Sequence, residues 1–472
     1  MGQHINPGGK RKMKLRRKVA ISVAAIAAVT TAGVIPASAG TTLNGGGASF
    51  MANMMDICAA QYNRNTVFNT NSDTVSYASV GSGTGKTGYA NGTYKFGGSE
   101  SAYSATAAKP ADLVYVPLIA GPIAIGYRLD GVTPAGSTVH LKSETVAKIF
   151  AGTITAWNDP AIIADNTATT IAAVKKAAKH GVTATIAKSG KKVNLKVTAT
   201  AAALKRFKGK KVVITRTDAA KKTTSVASAA ITGTMTKSVA YSKGASYAVK
   251  VGAISLGSVT VDNTVIGETL TMPSTAIRVA YRSGTSGTTN MFTNYLNKVV
   301  SSIWTKAAND SFTSAFPTSI PTNGTFQAAS GNDGVANLVK DTNGAITYAE
   351  LSFIEERSTA GVKAAAISNN AGLYIVPTTA ATTAFYAEAT VEANGLVTPD
   401  YTVKAADAYL INAISFGLAG TAATTDNAGT KSFFSYFLNS CAPKNAPGAG
   451  YAPLGGAILT KALAQVAKIN AG

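Results

Sequence analysis

Residues 81–92 read GSGTGKTGYANG, and the Gly85-Lys86-Thr87 triplet invites comparison with a nucleotide-binding P-loop. The pattern G-x-x-x-x-G-K-[ST] wants a glycine five residues before Gly85, and that position is Val80, so the loop is incomplete. What survives is a Gly/Ser/Thr turn of the kind that aims backbone N–H groups at an anion. Two further turns share its character: LNGGGASFMANMMDICAAQY at 43–62, and IRVAYRSGTSGTTNMFTNYL at 277–296, where a strand pattern runs through Arg282 into a helix. Each sets a helix N-terminus, with its unpaired N–H groups and a hydroxyl side chain, beside a common guest. Capping by Ser or Thr would account for any one of them. Three in one chain, one beside an arginine, suit a small tetrahedral oxyanion held by neutral dipoles and one fixed cation. Lys86 has no part in this reading and is expected at the surface.

The elements that must position these turns alternate in kind. Strand-like runs (DLVYVPLIAGPIAIGYRL, AIRVAYRS, GAITYAEL) are interleaved with helical stretches (SETVAKIFAG, TTNMFTNYLNKVVSSIWTKA, GVANLVKD), an α/β pattern. STAGVKAAAISNNAG is read as a loop. The first 39 residues carry seven basic residues between Lys10 and Lys18. An apolar stretch and Ala37-Ser38-Ala39 follow, which together read as a signal peptide. No cysteine follows the cleavage point, so no lipid anchor is expected there, and the mature chain is expected outside the cytoplasm, where ATP is scarce.

Charge is uneven. The chain has 44 Lys+Arg and 22 Asp+Glu, of which residues 171–270 hold 18 and three. Removing the seven signal bases leaves the rest of the mature chain with 19 against 19. All the excess positive charge of the mature chain therefore lies in one segment. There, short alternating runs such as GKKVNLKVTATAA and ASYAVKVGAISLGSVTV predict an inserted antiparallel sandwich of immunoglobulin-like type. A net +15 draws anionic polymers such as those of a cell wall, although its lysines also fit a merely solvated face. It has few aromatic residues, which argues against stacking on single-stranded nucleic acid. The two cysteines, Cys58 and Cys441, either form a disulfide or stay as buried thiols.

The turns resemble those of the phosphate-binding protein of the ABC-type phosphate importer, a two-lobed type II periplasmic-binding-protein fold. LNGGGASF is similar to that family's first phosphate loop, SVGSGTG to its second, and YKFGGSESAYS to the segment carrying its acidic ligand. LKSETVAKIFAGTITAWNDPAI, RSGTSGT and GNDGVANLVKDTNGAITYAELSF continue the match in order. It covers most of residues 41–165 and 270–355, is weaker over the C-terminal hundred, and is absent over 166–270. The resemblance implies phosphate held by Ser49, the Phe50 N–H, Ser82, Glu100, Arg282, Ser286, Gly287 and Thr288. It further implies delivery to importer membrane subunits, a monomer, no cofactor and no metal. Two departures stand out: the family has Asp where Glu100 stands, and Asp two residues after the arginine, where this chain has Gly284.

The expected division is a signal at 1–39, one lobe from 40–125 with 372–472, a second from 126–165 with 271–371, and the basic insert at 166–270. Catalysis is not expected. His4, His140 and His180 lie away from the Ser/Thr turns, and neither H-E-x-x-H nor Cys/His metal spacing occurs. The alternative to phosphate import is a surface-attached protein that has kept the fold while its insert grips cell-wall polymers.

Overall fold

The longest apolar run in the mature chain, Leu113–Arg128, forms one sixteen-residue strand on which the whole body is built. A computed structural model describes residues 40–472 other than 168, 173, 190–191, 219, 243, 261–262, 267–268 and 388, so the expected signal segment lies outside the described residues. The strands of the main sheet are β1 (Thr42–Gly47), β2 (Thr74–Ser79), β3 (Phe96–Ser99), β4 (Leu113–Arg128), β5 (Arg278–Arg282), β6 (Phe326–Ala329), β7 (Ala345–Glu350), β8 (Val362–Ala364) and β9 (Asn412–Gly420). Their order is β6-β5-β7-β4-β9-β3-β1-β2, with β8 also on β4. The first part of β4 pairs with β9, from Leu113↔Gly420 to Pro122↔Asn412. Its last part pairs with β7, from Ile123↔Glu350 to Tyr127↔Ile346. The strand thus hands the sheet from one lobe to the other at Pro122-Ile123. All but its two end residues are buried, as a strand covered on both faces must be.

Parallel neighbours need crossover helices. Helix α1 (Ala52–Tyr62) joins β1 to its parallel partner β2, and α2 (Ser82–Ala90) leads from β2 to β3. In the second lobe α3 (Gly287–Val299) leaves β5, and α4 (Gly331–Asp341) leads from β6 to β7. Met54, Met55, Cys58 and Tyr62 form the buried face of α1, and Cys58 is joined to Cys441 in a disulfide. Trp157 and Trp304 are fully buried in the same core. Burying side chains of this size contributes roughly 1.5–3 kcal/mol each, which explains how so glycine-rich a sequence holds together.

Two stretches fold otherwise than their composition suggests. GSGTGKTGYANG is no open turn: from Ser82 it is the helix α2, despite three glycines that each cost roughly 0.5–1 kcal/mol against alanine. Packing decides, because a Cβ on Gly85 would lie 2.3 Å from the Cα of Gly47 on β1. STAGVKAAAISNNAG is likewise more than a loop. It carries β8 and the strand Ala366–Ser368, which pairs with His140–Leu141 and with Tyr374–Ile375.

The insert leaves and returns at one point, where the Leu270 N–H donates to Asn166 O at 2.7 Å. It is a sandwich of two four-stranded antiparallel sheets. One orders Thr234–Ala240, Lys192–Ala199, Val182–Ser189 and Val174–Lys179; the other orders Thr223–Ala230, Lys211–Thr217, Ser246–Val251 and Ile254–Thr260. Along Lys192–Ala199 Val193, Leu195 and Val197 are buried, while Lys192, Asn194 and Lys196 are exposed. The expected immunoglobulin strand order is not met. Val174–Lys179, Val182–Ser189 and Lys192–Ala199 form a three-strand meander within one sheet, whereas the immunoglobulin order moves to the other sheet after two. The first two of these strands are joined through His180 and Gly181, both with positive φ (52° and 76°), the two-residue geometry that joins adjacent antiparallel strands.

Candidate anion-binding site

The first turn is shorter than its glycines suggest. Gly45–Gly47 belong to β1, where a Cβ on Gly47 would lie 2.1 Å from Gly98 O of β3. Ala48-Ser49-Phe50-Met51 then bridges to α1. The buried Ser49 Oγ accepts hydrogen bonds from both the N–H and Nδ2 of Asn332 on α4, each at 3.3 Å. Phe50 is fully buried, and its carbonyl accepts the Tyr451 hydroxyl at 2.6 Å, which fixes the orientation of the turn.

The second turn places Ser82 as the first residue of α2, behind Gly81. Ser82 Oγ donates to Glu100 Oε2 at 3.2 Å. Glu100 immediately follows β3 and is 2% exposed. Its Oε1 accepts from Ser415 Oγ of β9 at 2.9 Å, and its Oε2 from Thr288 Oγ1 at 3.5 Å. Burial pushes its carboxyl up to about 7, against the opposing pull of Ser415, Arg282 and Ser82; the Asp310 charge adds to the rise.

The third turn carries Arg282, the last residue of β5, with 4% exposure. Its Nη1 donates to Asn332 Oδ1 at 3.3 Å and to Thr288 Oγ1 at 3.5 Å. Its Nε is buried with no partner among the described residues. Burial lowers its pKa, and Tyr348 and Glu100 draw it back up. Gly284, where the resembling family has Asp, lies in open space, so neutral oxygens orient this guanidinium instead. Ser286 caps α3 by accepting from the Thr289 N–H at 3.2 Å, so its hydroxyl is occupied in holding the helix start. A Cβ on Gly287 would come within 2.6 Å of both Glu100 Oε2 and Ser82 Oγ. The first turn of α3 therefore lies directly against the carboxylate and hydroxyl that the other lobe presents.

Ser49, Asn332, Arg282, Thr288, Glu100 and Ser82 form one continuous hydrogen-bonded chain across the two lobes. Phe50 stands beside it in the first turn. A guanidinium, a carboxyl that titrates near neutrality, hydroxyl groups and helix N-termini make a cradle for a tetrahedral oxyanion. His140 lies apart from this cradle: it stacks on Tyr374, with ring centroids 4.7 Å apart, in the separate three-stranded sheet.

Two residues were not read from sequence, and a third was misplaced. Asn332 opens α4 after β6, the same strand–turn–helix pattern as the other three, so its signal was present in the GND run. Ser415 has no local signal, since antiparallel pairing of β9 with β4 and β3 delivers it. Lys86, expected at the surface, is largely buried and pairs with Asp310 at 2.8 Å, because α2 turns it inward across the lobes.

Residues 33–268 match the PBP superfamily domain, and the chain belongs to that superfamily. It is 25% identical over 288 residues to the phosphate-binding protein PstS 2 of Mycobacterium tuberculosis, covering 59% of this chain and 47% of that one. It is 24% identical over 322 residues to the phosphate-binding protein PstS 3 of Mycobacterium leprae, covering 67% and 55%. The chain thus spans about half the length of the curated relatives it matches. In fold it is similar to a high affinity periplasmic phosphate-binding protein (PfluDING) solved with phosphate, with a TM-score of 0.55 at 18% identity, covering 90% of this chain and 93% of that one.

Proposed function

We propose that this chain is an exported, non-enzymatic solute-binding protein that captures inorganic phosphate between its lobes and delivers it to the membrane subunits of an ABC importer. One observation carries the reading. A buried guanidinium with an unpartnered Nε faces a buried carboxyl and two hydroxyls that come from different lobes. Monohydrogen phosphate satisfies both ends, giving oxygens to Arg282 and a P–OH to Glu100. Sulfate has no proton to give and leaves the carboxylate facing an oxyanion. An unmade bond of that kind costs roughly 1–3 kcal/mol, so one carboxylate yields roughly tenfold to hundredfold rejection. Phosphate-binding curated relatives support the assignment.

In this reading Ser49, the Phe50 N–H, Ser82, Glu100, Arg282, Ser286, Gly287 and Thr288 surround the ligand, with Asn332 and Ser415 added. The lobes comprise 40–125 with 376–472 and 126–165 with 271–375, the second crossing lying past Ile375 and not at 371–372 because Tyr374–Ile375 pairs within the second lobe. The protein works as a monomer outside the cytoplasm, in the periplasm or at the cell surface. Its insert supports a second contact: Lys205, Arg206, Lys208, Lys210 and Lys211 are all exposed within seven residues, a density suited to anionic cell-wall polymers rather than to any specific nucleic acid.

Calorimetric titration of the anion-stripped protein with phosphate and then sulfate tests the central claim. Micromolar or tighter phosphate binding with sulfate at least tenfold weaker is expected. No heat with phosphate would overturn it.

A further inference from the structure

Lys86 is the residue that the P-loop comparison left over, and the anion cradle does not use it. Its side chain is 12% exposed, and its ammonium donates three hydrogen bonds: to Ser101 Oγ at 2.9 Å, to Ala102 O at 3.0 Å and to Asp310 Oδ2 at 2.8 Å. The first two acceptors lie in its own lobe, in the segment that follows Glu100. The third lies in the other lobe. Asp310 is 17% exposed and is held there independently, since its Oδ1 accepts from Asn290 Nδ2 of α3 at 2.9 Å. Ser101 Oγ also donates to Asp310 Oδ2, at 3.1 Å. Close by, the Gly83 N–H donates to Thr285 O across the same seam at 3.1 Å.

We infer that Lys86 and Asp310 are a preorganised inter-lobe latch that sets how long the closed state, and with it the captured anion, persists. The inference rests on the proposed phosphate capture. An exposed ion pair contributes little, because two long side chains must be ordered to make it and water screens it. Here each partner is already ordered by its own lobe, so closure adds a charge-assisted bond with little further loss of side-chain freedom. The bond forms only when the lobes meet. It therefore acts on the closed population, and the apparent dissociation constant scales inversely with that fraction. Neither side chain is a member of the hydrogen-bonded chain from Ser49 to Ser82, so Lys86 acts by positioning the lobes. Asp310 does so too, and its charge also bears on Glu100, which is why the cycle, and not the Asp310 variant alone, isolates the pair.

The test is a double-mutant cycle of Lys86→Met and Asp310→Asn in the full-length mature protein, read by stopped-flow phosphate release and association. Each single change is expected to raise the release rate about tenfold and to alter association less than threefold. The double variant should be no faster than the faster single. Unchanged release in both singles, or fully multiplicative effects in the double, would overturn the latch. A second readout needs no ligand: hydrogen exchange of the peptide containing Gly83, whose N–H is bonded across the seam, should quicken in both singles. Unchanged exchange would also overturn it. If the wild type bound no phosphate, the capture reading would fall while this exchange experiment still decided the latch.

Discussion

Two regions of this chain spend positive charge in opposite ways. The body has balanced charge yet places one arginine at 4% exposure, its guanidinium hydrogen-bonded to neutral oxygens and beside a buried carboxyl. The insert carries 18 of the basic residues against three acids, and those described on its strands and turns stand mostly in solvent. A buried guanidinium is desolvated, oriented and costly to leave without an anion. An exposed lysine is hydrated, mobile and screened within about 8–10 Å at ordinary ionic strength. A single fixed charge can thus define a ligand, whereas a crowd of loose ones defines only a preference for polyanions.

The sharpest way to break the comparison is to remove the buried guanidinium of Arg282. Arg282→Ala takes away bonds to a charged ligand, each contributing roughly 1.5–3 kcal/mol, and leaves Glu100 without its opposing charge. Phosphate affinity measured by calorimetry should fall about 100- to 1000-fold. A loss below about threefold would mean that the helix N-termini alone hold the anion, and the body would then resemble the insert.

The next effect is smaller and depends on pH. In the ligand-free folded protein the Glu100 carboxyl titrates near 7, above its ordinary 4.5, because burial disfavours the charge. The folded state therefore keeps a proton that the unfolded chain has released, so its contribution to stability falls as pH rises from about 4.5 to about 7. For ligands the consequence is a change in selectivity. Below 7 Glu100 carries its own proton and can donate it to sulfate; above 7 it can only accept. Rejection of sulfate should weaken about tenfold between pH 8 and pH 5.5. Glu100→Gln, whose amide donates at every pH, should bind sulfate with a flat profile. A wild-type selectivity that ignores pH would remove Glu100 from the discriminating role.

These expectations rest on residues that differ in how far the sequence disclosed them. Ser49, Ser82, Arg282 and Thr288 were legible because a hydroxyl or arginine at a strand-to-helix turn is a local pattern. Glu100 came only through resemblance, since nothing local distinguishes a buried acid from one at a helix start. Ser415 was invisible, because it reaches Glu100 through pairing between segments about 300 residues apart. The alternation of Val193, Leu195 and Val197 with Lys192 and Lys196 disclosed a sandwich but not its strand order, which is set by pairing between strands and leaves no local pattern. Lys86 was placed at the surface because the anion reading gave it no role, and only packing of Gly85 on Gly47 makes that stretch a helix that points the lysine inward.

A salt step separates the regions more gently. Raising ionic strength from about 0.05 to 0.5 M should weaken phosphate binding by less than about threefold, because the buried pair is poorly screened. Retention of the whole protein on anionic polymer should collapse over the same range, since each released counterion adds to the slope. Parallel weakening of both would place the phosphate site in solvent.

The smallest expected effect is the most demanding. The chain leaves the second lobe at Asn166 and returns at Leu270, and these two are already joined by a 2.7 Å backbone hydrogen bond. Asn166 is also fixed within the body, where its Nδ2 donates to His140 O and Ile162 O and its Oδ1 accepts from the His140 N–H. Val182, Ile186, Val193, Leu195, Val249 and their neighbours form a core of their own, apart from that of the body. Replacing residues 168–268 by a short glycine-containing turn should therefore leave the body folded, with phosphate affinity within about twofold of the full chain and a melting transition of similar midpoint. Binding to anionic polymer should vanish in the same variant. If phosphate affinity fell tenfold while the body remained folded, the exposed charges of the insert would be acting on the buried site. The division of labour between one fixed charge and many loose ones would then be false.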